Sequence, residues 1–167
     1  TIGYGAFNKC SSLSRINIAE GNAYYSSING VLFNADKSEL ILCPPSFRGG
    51  FTCPDKTLSI SAEAFSGCSG LSSINLGKVT AINDKAFLNC TSLTEVIIPE
   101  TVVSYGAYIF YGCSNLKSAT LPSNLTDLPD CIFANCSSLA EIVLPEALTH
   151  IGTAAFFGCD SLTEIYI

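Results

Sequence analysis

Apolar residues return along this chain in a fixed pattern: a Phe, a Cys three positions on, a Leu three further, then two apolar positions flanking a polar one. The first copy reads Ala6-Phe7-x-x-Cys10-x-x-Leu13-x-x-Ile16-x-Ile18. Ala64-Phe65 to Cys68, Leu71, Ile74 and Leu76 repeats it, as does Ala86-Phe87 to Cys90, Leu93, Val96 and Ile98. Three more copies run from Phe110, Phe133 and Phe156 through Cys113, Cys136 and Cys159. From Cys68 to Cys159 the steps are 22, 23, 23 and 23 residues, a repeat period and not a disulfide framework. The alternating end of each unit predicts a half-buried strand, with Ile16 and Ile18 facing one way and Arg15 and Asn17 the other.

One such strand cannot bury its apolar side alone. Stacked copies can, because strands of successive coils pair in parallel about 4.8 Å apart and their inward side chains form continuous columns. Parallel neighbours need a long return path. A proline-led extended piece carrying Val102 and Tyr105, Leu125 and Leu128, or Leu148 and Ile151 supplies its first part, and a helical turn around Phe-x-x-Cys is expected to supply the rest. The expected fold class is therefore an α/β repeat solenoid. It has a parallel sheet on one face and short extended and helical-turn segments on the other. The 58 residues between Cys10 and Cys68 exceed two periods, so a further coil and an insertion lie there. Within it, Gly30–Asn34 and Glu39–Cys43, joined by Ala35–Ser38, predict a β-hairpin.

This unit, with its Leu-x-x-Ile-x-Ile-Pro strand and Ala-Phe-x-x-Cys turn, resembles the BspA-type leucine-rich repeat. Tyr24-Tyr25-Ser26-Ser27-Ile28-Asn29-Gly30-Val31-Leu32-Phe33 also resembles an insert of that family. On this reading residues 1–167 form one leucine-rich-repeat domain, with regular repeats over about 1–20 and 55–167 and a longer variant coil with the hairpin over 21–54. The resemblance implies a curved right-handed solenoid with its sheet on the concave face. It also implies an extracellular or cell-surface location, adhesion to host extracellular proteins or other cells, and no catalytic residues. Departures from the pattern are Ala119 in place of the strand Ile, Pro129 and Cys131 within one convex segment, and the missing prolines after Ile18 and Leu76.

Composition narrows the partners. Fourteen acids against eight scattered bases give a net charge of −6, which disfavours nucleic acid. A single His excludes a His-pair metal site, and no apolar run approaches the roughly 20 residues of a membrane helix. No cofactor is expected. The cysteine column reads as free buried thiols, because equivalent Cβ vectors run parallel where a disulfide needs them to converge and a line cannot close a zinc tetrahedron. Cys43 and Cys53 could form one bridge across the insertion, with packing the simpler reading. His150 lacks a nucleophile at recognisable spacing, and Asp36-Lys37-Ser38-Glu39 is too short for a calcium loop. The sequons at Asn89, Asn124 and Asn135 carry no functional reading.

What remains is a surface of files. One runs through Arg15, Ser73, Glu95, Ser118, Glu141 and Glu164, the next through Asn17, Asn75, Ile97, Thr120, Val143 and Tyr166. Acidic and apolar character both grow toward the C-terminal coils, which suits a protein-binding site for a basic partner. The candidate ligand-binding residues are Arg15, Asn17, Asn75, Glu95, Ile97, Thr120, Glu141, Val143, Glu164 and Tyr166. The expected function is a non-catalytic recognition module binding protein or glycan. A passive spacer and, less favoured, a thiol-dependent enzyme are the alternatives. Both ends of the chain lack a polar cap, so continuation into a longer array or end-to-end self-association is expected.

Overall fold

A computed structural model describes Ile2, Ala6, Phe7 and residues 10–167. The uncapped start expected at Thr1–Gly5 falls, apart from Ile2, outside these residues. The strands are β1 (Tyr25–Ile28), β2 (Val31–Asn34), β3 (Glu39–Leu42), β4 (Arg48–Thr52), β5 (Ser59–Ile60), β6 (Gly70–Asn75) and β7 (Ala81–Ile82). They continue as β8 (Glu95–Ile97), β9 (Ser104–Tyr105), β10 (Ser118–Thr120), β11 (Asp127–Leu128), β12 (Glu141–Val143), β13 (His150–Ile151) and β14 (Glu164–Tyr166). Each regular coil contributes one strand to the main face (β6, β8, β10, β12, β14) and one short strand to the return path (β5, β7, β9, β11, β13), so the chain winds as a β-solenoid.

The Phe residues stand in single file through its centre. Ring centroids are 4.9 Å apart for Phe65 and Phe87, 5.2 Å for Phe87 and Phe110, 5.8 Å for Phe110 and Phe133, and 5.9 Å for Phe133 and Phe156, all nearly parallel. The Leu at the strand entrance, Leu71, Leu93, Leu116 and Leu139, is fully buried in every internal coil. Offset stacking of this kind adds to the transfer free energy of burying each ring.

The expected helical turns are not helices, and the α/β description is corrected to an all-β one: no helix occurs among the described residues. The reason lies in where the amide hydrogens go. Glu63, Phe65 and Gly67 donate to the carbonyls of Asp84, Ala86 and Leu88 one coil on, and Lys85, Phe87 and Asn89 do the same to Ala107, Ile109 and Tyr111. Alternate N–H groups are thus spent between coils, and only short turn bonds such as Cys68 N to Phe65 O (3.0 Å) remain within one. That geometry needs left-handed backbone on both sides of the Phe. Lys85, Tyr108 and Cys131 adopt it before the ring, and Asn89, Gly112 and Asn135 after it. A Cβ at Gly112 would collide with the Asn89 Oδ1, so the glycine makes room for the preceding coil's asparagine.

The hairpin β2–β3 forms as expected, and β1 adds a third antiparallel strand to it. This meander stacks through β3 in parallel onto β5, which pairs with β7, and β7 with β9. The variant region also supplies β4, which pairs in parallel with β6.

Candidate functional site

The candidate site is the outward face of the main strands, β6, β8, β10, β12 and β14. Their register sets Gly50 against Ser73, Thr52 against Asn75, Glu95 against Ser118, Ile97 against Thr120, Glu141 against Glu164 and Val143 against Tyr166. The alternation is sharp. Val96 and Ile142 are buried while Ile97 and Val143 are each 65% exposed, and Glu95 and Glu141 are exposed beside them. Eight of the ten candidate residues therefore lie in two adjoining files on one face. Glu164 and Tyr166 end these files, where the Tyr166 hydroxyl donates to the Glu164 carboxylate. That bond, with the charge of Glu141, holds the Tyr166 phenol above its ordinary range.

Arg15 and Asn17 lie elsewhere. Both are exposed, but their segment forms no strand: Ile16 N donates to Gly30 O at 2.8 Å and Ile18 N to the Ser27 hydroxyl at 3.1 Å, both toward the meander. The strand of the further coil, β4, lies beside β6, so Gly50 and Thr52 stand next to Ser73 and Asn75. Arg15 instead shares a shallow groove with Ser12, Ser14 and Arg48.

The cysteine column is part of the scaffold under this face. The Cys90 thiol donates to Phe65 O (3.1 Å), Cys113 to Phe87 O (3.2 Å), Cys136 to Phe110 O (3.2 Å) and Cys159 to Phe133 O (3.1 Å), each reaching back to the coil before. A thiol suits the place because it is small, apolar and carries one weak donor. Burial raises these thiols, Cys113 to about 12, and Cys90 and Cys136 likewise lie above the ordinary value near 9. All nine cysteines are free, Cys43 and Cys53 among them. Among the described residues no group of His, Cys, Asp and Glu is placed to hold a metal ion.

Sequence reasoning passed over a groove at the edge of the strand face. It measures about 750 Å³ and is lined by Ala119, Thr120, Leu121, Val143, Pro145 and Ala147, with Glu100, Ser123 and Glu146 at its rim. It lies where β10 and β12 do not pair, as a smaller groove of about 310 Å³ lies between the unpaired β6 and β8, and the inward position taken by Ile74, Val96 and Ile142 in other coils holds only Ala119 here. Filling it should stabilise the chain. Ala119→Ile is expected to raise the unfolding free energy by about 1–2 kcal/mol, at about 0.8 kcal/mol per methylene buried, as read from urea denaturation. A loss of stability would mean that the coils on either side cannot accept the volume.

These features define a class, the leucine-rich-repeat solenoids. Within it, the chain matches the family described as BspA type leucine rich repeat region, in six copies over residues 1–48 and 58–167, and belongs to that family. Its fold is similar to that of a leucine-rich repeat protein from Eubacterium ventriosum, with a TM-score of 0.90 and 28% identity over 100% of this chain and 45% of that one. It is also similar to a leucine rich cell surface protein from Faecalibacterium prausnitzii, with a TM-score of 0.60 and 30% identity over 97% of this chain and 38% of that one. The pneumococcal vaccine antigen PcpA shares the fold at 21% identity, with a TM-score of 0.62 over 92% of this chain and 50% of that one. The chain thus spans half or less of the length of each of these proteins. No curated protein matches it.

Proposed function

We propose that this chain is a non-catalytic recognition module exposed at a cell surface, which binds a protein ligand through the outward face of β6 to β14. The observation that carries the reading is the pair of files in register, one acidic through Glu95, Glu141 and Glu164, the other apolar through Ile97, Val143 and Tyr166. A repeated position becomes a stripe, and an apolar stripe beside carboxylates suits a partner with basic and aliphatic side chains. The surface location draws support from the Faecalibacterium prausnitzii relative, itself described as a cell surface protein. A thiol enzyme is disfavoured because Cys90, Cys113, Cys136 and Cys159 are buried, raised in pKa and committed to backbone carbonyls, the opposite of a reactive thiolate's surroundings.

The test is a variant that strips the files without touching the core: Ile97→Ser, Glu141→Gln and Tyr166→Ser together. With the chain immobilised against a panel of purified basic extracellular proteins, any ligand of the native face should bind the variant at least about tenfold more weakly, a loss of about 1.4 kcal/mol or more. A variant that binds every such protein as tightly as the native chain would leave the spacer reading in its place.

A further inference from the structure

The ladders of hydrogen bonds that join the coils are interrupted between the coil of residues 99–121 and that of 122–144. On the strand face β4 pairs with β6, β8 with β10 and β12 with β14, while neither β6 and β8 nor β10 and β12 pair. On the return side β9 ends the six-stranded sheet, and β11 pairs with β13 instead. A groove opens at each interruption: the large one already described, one of about 310 Å³ between β6 and β8, and one of about 200 Å³ between Val103 and Thr126 on the return side. The two coils are held by the convex turns, with Tyr108, Phe110 and Gly112 donating to Asp130, Ile132 and Ala134, by the Cys136 thiol on Phe110 O, by Ser137 and Ser138 on Ser114 O, and by Ser123 and Asn124 on Glu100. A sequence that fills this inward position elsewhere with Ile or Val holds only Ala119 here, at the one boundary among the described residues where the strand face and the return side part together. Stability given up at one place is the mark of a site.

The chemistry of the groove selects its occupant. The floor is aliphatic: Ala119, Leu121, Val143, Pro145 and Ala147. The rim carries two carboxylates and no lysine or arginine. Glu100 is fixed by the Ser123 N–H (2.9 Å) and the Ser123 hydroxyl (3.0 Å), which orient its charge, while Glu146 makes no hydrogen bond or ion pair among the described residues. Arginine and lysine side chains match such a place, with an aliphatic stem for the floor and a cationic head for the rim. The groove is open to solvent along its length, unlike the enclosed pockets that take small molecules. A second copy of this chain is a poor occupant, since its own charge is −6. We propose that the groove between β10 and β12 anchors an arginine or lysine side chain from an extended basic segment of the protein partner. This deepens the recognition reading given above and rests on it.

The experiment uses fluorescence anisotropy with two labelled peptides, one alternating valine and arginine and the other valine and glutamate, at low and at physiological salt. The native chain should bind the arginine peptide and not the glutamate one. Ala119→Ile, which fills the floor, should weaken that binding by about tenfold or more, and Glu146→Gln by about threefold or more at low salt. Glu20→Gln, an exposed carboxylate outside the strand files and the groove, should change it less than about twofold. Glu146 is exposed, so its variant tests the proposal even where Ala119→Ile disturbs packing. Failure of the native chain to bind the arginine peptide, equal binding of both peptides, or native affinity in both groove variants overturns the proposal. So does sedimentation showing a dimer that Ala119→Ile abolishes, because the occupant is then a second copy. Native affinity in the groove variants with loss in the Ile97, Glu141 and Tyr166 variant removes the groove but keeps the strand face as the binding surface. Native affinity in all of them removes both.

Discussion

Replacing Phe110 by alanine is expected to lower the unfolding free energy by about 3–5 kcal/mol, a large share of the roughly 5–15 kcal/mol that holds a typical domain together. The ring is fully buried and stacked on both sides, 5.2 Å from Phe87 and 5.8 Å from Phe133. Two features of this solenoid raise the cost above that of an isolated cavity. Each coil rests only on its neighbours, so weakening one interface weakens the path by which every coil beyond it is supported. Phe110 also lies on the coil boundary where neither sheet continues, and there the Phe stack and the convex turns carry much of the contact, with the Cys136 thiol and bonds from Ser123, Asn124 and Ser138 beside them. Urea denaturation followed by far-ultraviolet circular dichroism reads both effects. Phe110→Ala should lower the midpoint and also the slope, as the chain separates into two parts that unfold in turn. Phe156→Ala should cost much less, because that ring is only partly buried and has one stacked neighbour, Phe133. Equal losses at the two positions would show that the stack is not cooperative.

The repeat was legible because it is written in side chains that point inward. Phe87, Phe110, Phe133 and Phe156 lie in single file, and the alternation around Val96 and Ile142 gave the strand phase directly, since a parallel stack in strict period leaves one register open. Hairpin β2–β3 was legible from two apolar runs about a short polar turn. The convex turns were misread because Ala-Phe-x-x-Cys has the three-residue spacing of a helical turn, while nothing in one coil's sequence reveals that its amide hydrogens are claimed by the next. Strand β1 was missed because Tyr25-Ser26-Ser27-Ile28 is too polar to stand out, its pairing being set by β2. Strand β4 is the strand of the further coil expected between Cys10 and Cys68, with Phe51 buried beside Phe65 at 6.0 Å, whereas the bonds that turn the Arg15–Asn17 segment toward Ser27 and Gly30 leave no mark in the repeat pattern. The groove did leave a trace in the sequence, the alanine at position 119. A departure from a repeat shows where volume is missing, but not whether the neighbours close over it.

The second large effect is expected in alkali. Burial raises the thiols of Cys43, Cys53, Cys90, Cys113 and Cys136, with Cys53 and Cys113 pushed up to about 12, whereas the unfolded chain releases the same protons near 9. Above pH 9 the unfolded state therefore binds fewer protons than the folded one, and each further rise in pH favours unfolding. Below pH 9 both states keep these protons, so the contribution is complete there and is lost only as pH climbs toward the folded values. One such thiol removes up to about 1.4 kcal/mol per pH unit, and five together about 7 kcal/mol, enough to exhaust an ordinary domain's stability within roughly one to two units. Hydrogen bonding sharpens the effect, because a thiolate can no longer donate to the carbonyls of Phe65, Phe87 and Phe110 and instead meets them as a repelling acceptor. Circular dichroism and thiolate absorbance recorded together against pH should show one steep transition between about pH 9.5 and 11, the thiolate signal appearing with the loss of structure and not before it. Cys113→Ser keeps a donor for Phe87 O but cannot titrate in this range, so it should move the transition to higher pH while leaving the fold at pH 7 intact. Thiolates that form while the strands persist would mean that the column is open to water and that its cysteines are not the apolar pillars described above, and structure that survives beyond pH 12 would mean that the thiols do not set the alkaline limit.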